Sequence, residues 1–287
     1  MDNLEKRYLI CLPDLNIAHG YIVQGSESEG IIGKNKYDAL GTRMKDYESV
    51  SRNFLTRRIP AIIRVDGKAF HTFTRGMEKP FDEHLMEAMQ GTMQFLCKNI
   101  QGCVFGYTQS DEITLVLTDY ASVSTSAWFD YNVQKMCSLA ASMATLEFNR
   151  RIREYPELAE KFDLAMFDAR AFSLPKEEVC NCLIWRQKDA TRNSIESVGQ
   201  AHFSHKELQR KTCNEVQEML WSQRDINWND LPTECKRGVC CYHISRSTTM
   251  QDPRNPENTI EVERRVWVID KEPPVFTQDQ LYIEKWL

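Results

Sequence analysis

Two β-rich apolar runs, Cys103 to Tyr107 and Ile113 to Thr118, meet across a short polar segment that carries Ser110, Asp111 and Glu112. That pattern reads as a β-hairpin with its acids at the tip. Adjacent carboxylates are poor core residues, because burying an unpaired charge is costly and strand propensity disfavours Asp. A cationic partner is therefore required, and the hairpin has to lie where one can reach it.

A second acid supplies the other half. The aliphatic stretch from Ile59 to Val65 ends at Asp66-Gly67, and Gly lets the chain turn sharply and lets a ligand approach the backbone. As neighbours in one sheet, at a strand spacing of roughly 5 Å, Asp66 and Asp111 could share hard metal ions, with the Gly67 carbonyl as a third ligand. The chemistry suggested is two-metal phosphoryl or nucleotidyl transfer, in which the metals bridge triphosphate oxygens and activate an attacking hydroxyl. Taken singly, Asp-Gly and Ser-Asp-Glu also fit ordinary turns.

Their order in the chain strengthens the pairing. A helix with Asp82 as N-cap and an apolar stripe running to Asn99 separates the Asp66 strand from the hairpin. Trp128 to Arg153 reads as a long helix, and Phe167 to Pro175 as the strand that completes a β-α-β-β-α-β, ferredoxin-like unit. Leu40 to Ser51 is expected to be an amphipathic helix, and Phe70 to Phe81 a loop whose His71, Arg75 and Lys79 suit a triphosphate tail. Beyond Pro175 the pattern is helical to about Arg224. Two strands follow, Gly238 to Ser245 and Thr259 to Ile269, joined by a loop from Met250 to Asn258. The fold class expected is α+β, an antiparallel sheet with helices followed by a helical and β-hairpin C-terminal part. Residues 1–35 form an extension with a weak β-like run at Tyr8 to Leu12 and a flexible connector at 24–30; 36–175 form the catalytic domain and 176–287 a region packed on it.

Composition narrows the class. No apolar run reaches the roughly 18 residues of a membrane span, and the first 25 residues do not read as a signal peptide. The 10 cysteines lack paired Cys-x-x-Cys knuckles, so no zinc is expected, and the thiols suit a reducing cytoplasm. A net charge of -5 does not advertise a nucleic-acid binder. Charge is local, however, and Arg150, Arg151 and Arg153, then Lys206, Arg210 and Lys211, are among the clusters that could gather on a phosphate-binding face.

The segments VDGKAFHTF, KPFD, GYTQSDEITLVL, FDARAF and WRQKDATRNS, in this order, are similar to the tRNA-histidine guanylyltransferase superfamily from about Tyr37 to near Ile269. That resemblance implies a palm-like catalytic domain that adds nucleotides to the 5′ end of tRNA in the 3′-to-5′ direction. It also implies two Mg2+ ions on Asp66, Gly67 and Asp111, with ATP, GTP or other nucleoside triphosphates as substrates. Lys68, Ala69, Phe70 and His71 match the family's nucleotide-binding turn, and Lys79 and Ser110 match positions near the triphosphate. Glu112 is expected behind the ligands or as the partner of a base. Arg170 and Arg186 either face the nucleotide or form structural ion pairs, and His205 is more an RNA contact than a catalyst. A homotetramer is the family expectation.

One departure separates the branches. Eukaryotic tRNA-histidine enzymes carry a His-Ile-Asn-Asn-like motif after Trp185-Arg186-Gln187, where this chain reads Lys188-Asp189-Ala190-Thr191-Arg192-Asn193-Ser194. The expected activity is therefore templated 5′-end repair. Its rivals are addition of a single G to tRNA-His, a nucleotide cyclase, and a non-catalytic RNA-binding protein.

Overall fold

The structure, a computed structural model, describes residues 39–252 and 255–287. The expected strand at Tyr8 to Leu12 and the connector at 24–30 lie outside the described residues. The chain divides into two compact units, residues 1–50 and 51–287. In the first, helix α1 (Ala39–Ser49) occupies the segment expected to be helical.

The second unit is built on one sheet. In chain order it contains β1 (Ala61–Gly67), α2 (Phe70–Phe73), α3 (Glu83–Asn99), β2 (Cys103–Gln109), β3 (Glu112–Leu117), α4 (Val133–Ile152) and β4 (Phe167–Ser173). There follow α5 (Lys176–His202), α6 (His205–Leu208), α7 (Cys213–Arg224), α8 (Thr233–Arg237), β5 (Val239–Asp252), β6 (Asn255–Asp270) and α9 (Leu281–Glu284). The strand order is β4-β1-β3-β2-β5-β6, and every pairing is antiparallel. The first four strands with α3 and α4 make the ferredoxin-like unit, and β5 adds to its β2 edge.

Side-chain alternation divides the core into two layers. Ala61, Ile63 and Val65 of β1 face α3 and α4, where they join Ile113, Leu115, Met93, Leu96 and Phe148. Ile62, Phe105, Tyr107 and Val116 point the other way, onto Val179 and Leu183 of α5 and onto Phe276 and Ile283 near the C-terminus. All of β3 is buried. Covering both faces is why β1 and β3 read as nearly continuous apolar runs, and each large apolar side chain so buried contributes about 1.5–3 kcal/mol. A third cluster, Ile195 and Val198 of α5 with Val216 and Leu220 of α7, extends the core beyond the sheet.

Three expectations about local structure are corrected. The segment after Gly67 is not loop throughout, because Ala69 in the left-handed region starts the short helix α2. The long helix begins at Val133 on an Asn132 cap, since Phe129 and Asp130 carry positive φ and break it from the preceding turn. Of the expected Met250–Asn258 loop, residues 250–252 belong to β5 and 255–258 to β6, and the β5–β6 register runs from Cys240↔Asp270 to Asp252↔Asn255. The low strand propensity of Asp, Pro and Asn masked that ribbon, whose pairing comes from its ladder rather than from local preference.

Candidate active site

Asp66 is the penultimate residue of β1, and its position in the sheet is set by two registers, Asp66↔Glu112 across to β3 and Asp66↔Asp168 across to β4. Residues directly opposite in antiparallel strands share a face, so three carboxylates lie in one row on the α5 side. Asp111 does not belong to a strand. With Ser110 it forms the two-residue connection of the β2–β3 hairpin, in which Ser110 has φ 51°. The two motifs are joined through the backbone: the Gly67 N–H donates to the Asp111 carbonyl at 3.0 Å. Gly67 is glycine for a packing reason as well. A Cβ there would sit 2.7 Å from Phe70 Cγ and closer still to the ring edge.

The acids in this row have different partners. Glu112 accepts two hydrogen bonds from Arg186, at 2.7 Å from Nε and 2.8 Å from Nη2, and Arg64 approaches it at 3.8 Å. Arg186 also donates to Asp189 at 2.8 Å. This buried cluster fixes α5 against the sheet behind Asp66. Asp168 is exposed and contacts Arg170 at 3.4 Å. Asp66 and Asp111 have no cation of the protein in salt-bridge range among the described residues; Asp111 accepts from Ser110 Oγ at 3.1 Å. Burial pushes the Asp111 carboxyl above its ordinary range, the Asp66 carboxylate adds to this, and Ser110 and His71 oppose it. Two neighbouring carboxylates left without a basic partner suit a hard divalent cation. Among the described residues no group of three or more His, Cys, Asp and Glu side chains forms a metal cage. A site with two carboxylates that completes its shell from carbonyls, waters and substrate phosphates is the kind magnesium accepts.

Beside Ser110 opens a cleft of ≈ 360 Å³. His71, Lys79 and Ser110 reach it from the palm, and Asn193, Ser197 and Gln200 line it from α5. Those three polar residues recur at helical spacing, one stripe of a helix that buries Ala190, Ser194 and Val198 beside it. The sequence reading missed them, although the stripe lies partly within the WRQKDATRNS segment. Gly238 closes the cleft with φ 75°, and a Cβ there would meet the Thr108 carbonyl at 2.5 Å. Lys68 and Lys79 form no ion pair among the described residues, so their charge is available to an anion. The amide of Lys68 is already used, donating to the Met166 carbonyl at 2.8 Å.

The remaining candidates are spread more widely. The Phe70 ring is buried against Phe73, Phe148 and Phe167, which makes it a packing wall. Ala69 supplies the left-handed turn into α2. Arg170 stands beside Arg64 in the register, two positions from the Asp66 row. Arg150 and Arg151 both approach Glu147, and Arg153 pairs with Asp163. On and after α6, His205, Lys206 and Arg210 are exposed, while Lys211 contacts Glu215 at 3.5 Å. Cys240 and Cys241 point into opposite core layers and cannot converge on one ion.

The sheet and its helices define a palm-like α+β protein. The family profile described as Thg1, tRNAHis guanylyltransferase, matches residues 41–175. A bacterial tRNA(His) guanylyltransferase (Thg1)-like protein solved in complex with ATP is 42% identical, with a TM-score of 0.76, covering 86% of this chain and 98% of its own. A bacterial Thg1-like protein solved with GTP is 40% identical, with a TM-score of 0.72 over 87% and 99% of the two chains. A probable tRNA(His) guanylyltransferase of Dictyostelium discoideum is 28% identical over 203 residues, 66% of this chain and 77% of that protein. This chain belongs to the tRNAHis guanylyltransferase family.

Proposed function

We propose that the chain is a tRNA 5′-end nucleotidyltransferase that works in the 3′-to-5′ direction with the opposite strand as template. The observation that carries this reading is the pair Asp66 and Asp111, joined by their backbones and lacking a protein cation, beside a cleft edged by Lys79, His71 and Ser110. In the proposed reaction a 5′-monophosphate oxygen attacks the α-phosphorus of ATP and pyrophosphate leaves. The 3′-hydroxyl of an incoming nucleoside triphosphate then attacks the activated 5′-phosphorus, and AMP leaves. Asp66, Asp111 and the Gly67 carbonyl would hold magnesium, which when bound would offset triphosphate charge and acidify the attacking hydroxyl. Lys68 and Lys79 neutralise phosphate charge as flexible point charges. Ser110 and the α5 stripe Asn193, Ser197 and Gln200 offer neutral hydrogen bonds to the nucleotide. Glu112, held by Arg186, keeps the row behind Asp66 rigid. The family expectation of a homotetramer is part of the proposal and is read by sedimentation.

The test supplies magnesium, ATP, all four nucleoside triphosphates and a 5′-monophosphorylated tRNA lacking its first nucleotide, with Asp111→Ala as control. Addition of the one nucleotide complementary to the opposite strand is the expected result. Addition of G alone, and only to tRNA-His, would replace templated repair by single-G addition. Absence of adenylylation would remove the nucleotidyltransferase reading, and equal activity in Asp111→Ala would remove Asp111 from the metal site.

A further inference from the structure

A second pocket, of ≈ 300 Å³, lies between α7 and the turn at Trp228–Asp230. Asn214, Gln217, Glu218 and Trp221 line it at i, i+3, i+4 and i+7, one face of α7, and Asn227 and Trp228 close the far side. Trp221 is 57% exposed, a large indole surface with nothing built over it. Trp228 is held from behind: its Nε1–H donates to Ser194 Oγ at 3.0 Å, and Lys236 Nζ lies 5.8 Å from its ring centroid. Among the described residues, the side-chain amides of Asn214 and Gln217 make no hydrogen bond. The pocket thus combines an open aromatic face, free amide donors and acceptors, and a carboxylate acceptor.

We infer that this pocket takes one unpaired nucleobase of the RNA substrate. Its volume is at the low end for ligand sites, suited to a planar ring system rather than a whole nucleoside triphosphate. Exposed indole is a stacking platform for any base, and amides read a base edge. The charge favours a base within a strand over a free nucleotide. Glu218 repels a triphosphate inside the pocket, while Lys236, which donates to the Asn229 carbonyl at its rim, suits a single backbone phosphate. The pocket also adjoins the cleft beside the acids, because Ser194 lines that cleft and holds Trp228 as the partition between the two. A strand whose end lies in the cleft can therefore anchor a base next door. Naming RNA as the ligand rests on the proposed function; the chemistry of the pocket does not.

The experiment measures binding of short single-stranded RNA homopolymers, duplex RNA and ATP to the full chain by mobility shift and calorimetry, with Trp221→Ala and Trp221→Phe. Loss of one base–aromatic stack, about 1–3 kcal/mol, corresponds to single-stranded RNA binding weakened roughly 5- to 150-fold in Trp221→Ala. Trp221→Phe should recover much of the loss, and ATP binding should be unchanged in both variants. Intrinsic fluorescence quenched by single-stranded RNA in the parent protein should lose its Trp221 component in Trp221→Phe. Equal RNA affinity in all three proteins, or no single-stranded RNA binding by any, would overturn the inference. Trp221-dependent binding in a protein that adenylylates no tRNA would sustain the pocket and sink the proposed function instead, so the two failures are separable.

Discussion

The Gly67 N–H donates to the Asp111 carbonyl at 3.0 Å, so the two acid motifs, 45 positions apart in sequence, share one backbone hydrogen bond. The bond arises because β1 and β3 are immediate neighbours, with Asp66 opposite Glu112. It places the hairpin turn against the end of β1 without help from either carboxylate. Removing an acid therefore leaves the backbone that positions the other one intact.

Gly67→Ala tests that arrangement from the other side. The added methyl meets the Phe70 ring, which is itself wedged among Phe73, Phe148 and Phe167 and cannot swing away. Overpacking of this kind costs about 1–3 kcal/mol. Urea denaturation should show that loss, and Phe70→Ala combined with Gly67→Ala should cost less than the sum of the single changes. Strict additivity would mean that the two residues are not coupled through this contact.

Asp111 gives a pH-dependent prediction. Burial and the nearby Asp66 carboxylate raise its pKa. A carboxyl whose folded pKa lies above its unfolded value binds protons more readily when folded, so stability declines as pH rises from the unfolded value through the folded one. In chelator, Asp111→Asn should raise Tm at neutral pH, and the advantage should shrink as pH falls to about 4. Adding magnesium should stabilise the parent protein and not the variant. A variant less stable than its parent at neutral pH in chelator would show that the acid pair is not under strain.

Much of this arrangement was legible in the sequence, for a physical reason. Asp66 and Asp111 each follow an apolar run, and alternating apolar runs, a capped helix and a hairpin declare their order locally. The cleft wall formed by Asn193, Ser197 and Gln200 was not legible in the same way. Polar residues on a helix look alike whether they face solvent or a neighbouring strand, and only the tertiary placement of α5 distinguishes the two. The Glu112–Arg186 bond spans 74 positions and joins different layers, so no local pattern could single it out. The β5–β6 ribbon was shortened by reading propensity where pairing decides.

Arg186 and Glu112 are each about 8% exposed and meet in a bidentate pair. Breaking a buried pair on one side leaves an uncompensated charge, which costs about 3–5 kcal/mol. Arg186→Ala should lose that much stability. The double variant Arg186→Met with Glu112→Leu should recover most of it, since an apolar replacement of similar volume removes both desolvation penalties. A small effect of Arg186→Ala would mean that Arg64, at 3.8 Å from Glu112, takes over as its partner.

The basic residues divide by how free their charge is. Arg150, Arg151 and Arg153 each have an acidic neighbour, whereas Lys206 and Arg210 are exposed and form no ion pair among the described residues. A cation already paired must give up its carboxylate to gain a phosphate, so its net contribution to RNA binding is smaller. An unpaired one releases a counterion at full effect, and each such contact contributes about -0.7 to -0.9 to the slope of log affinity against log salt. Lys206→Ala with Arg210→Ala should therefore flatten the slope for tRNA by about 1.4–1.8 units. Arg150→Ala with Arg153→Ala should change it less, a comparison that filter binding across a salt series reads directly. The reverse order would place the RNA backbone along the end of α4 instead of α6, and would mean that the Glu147 and Asp163 pairs open when RNA binds.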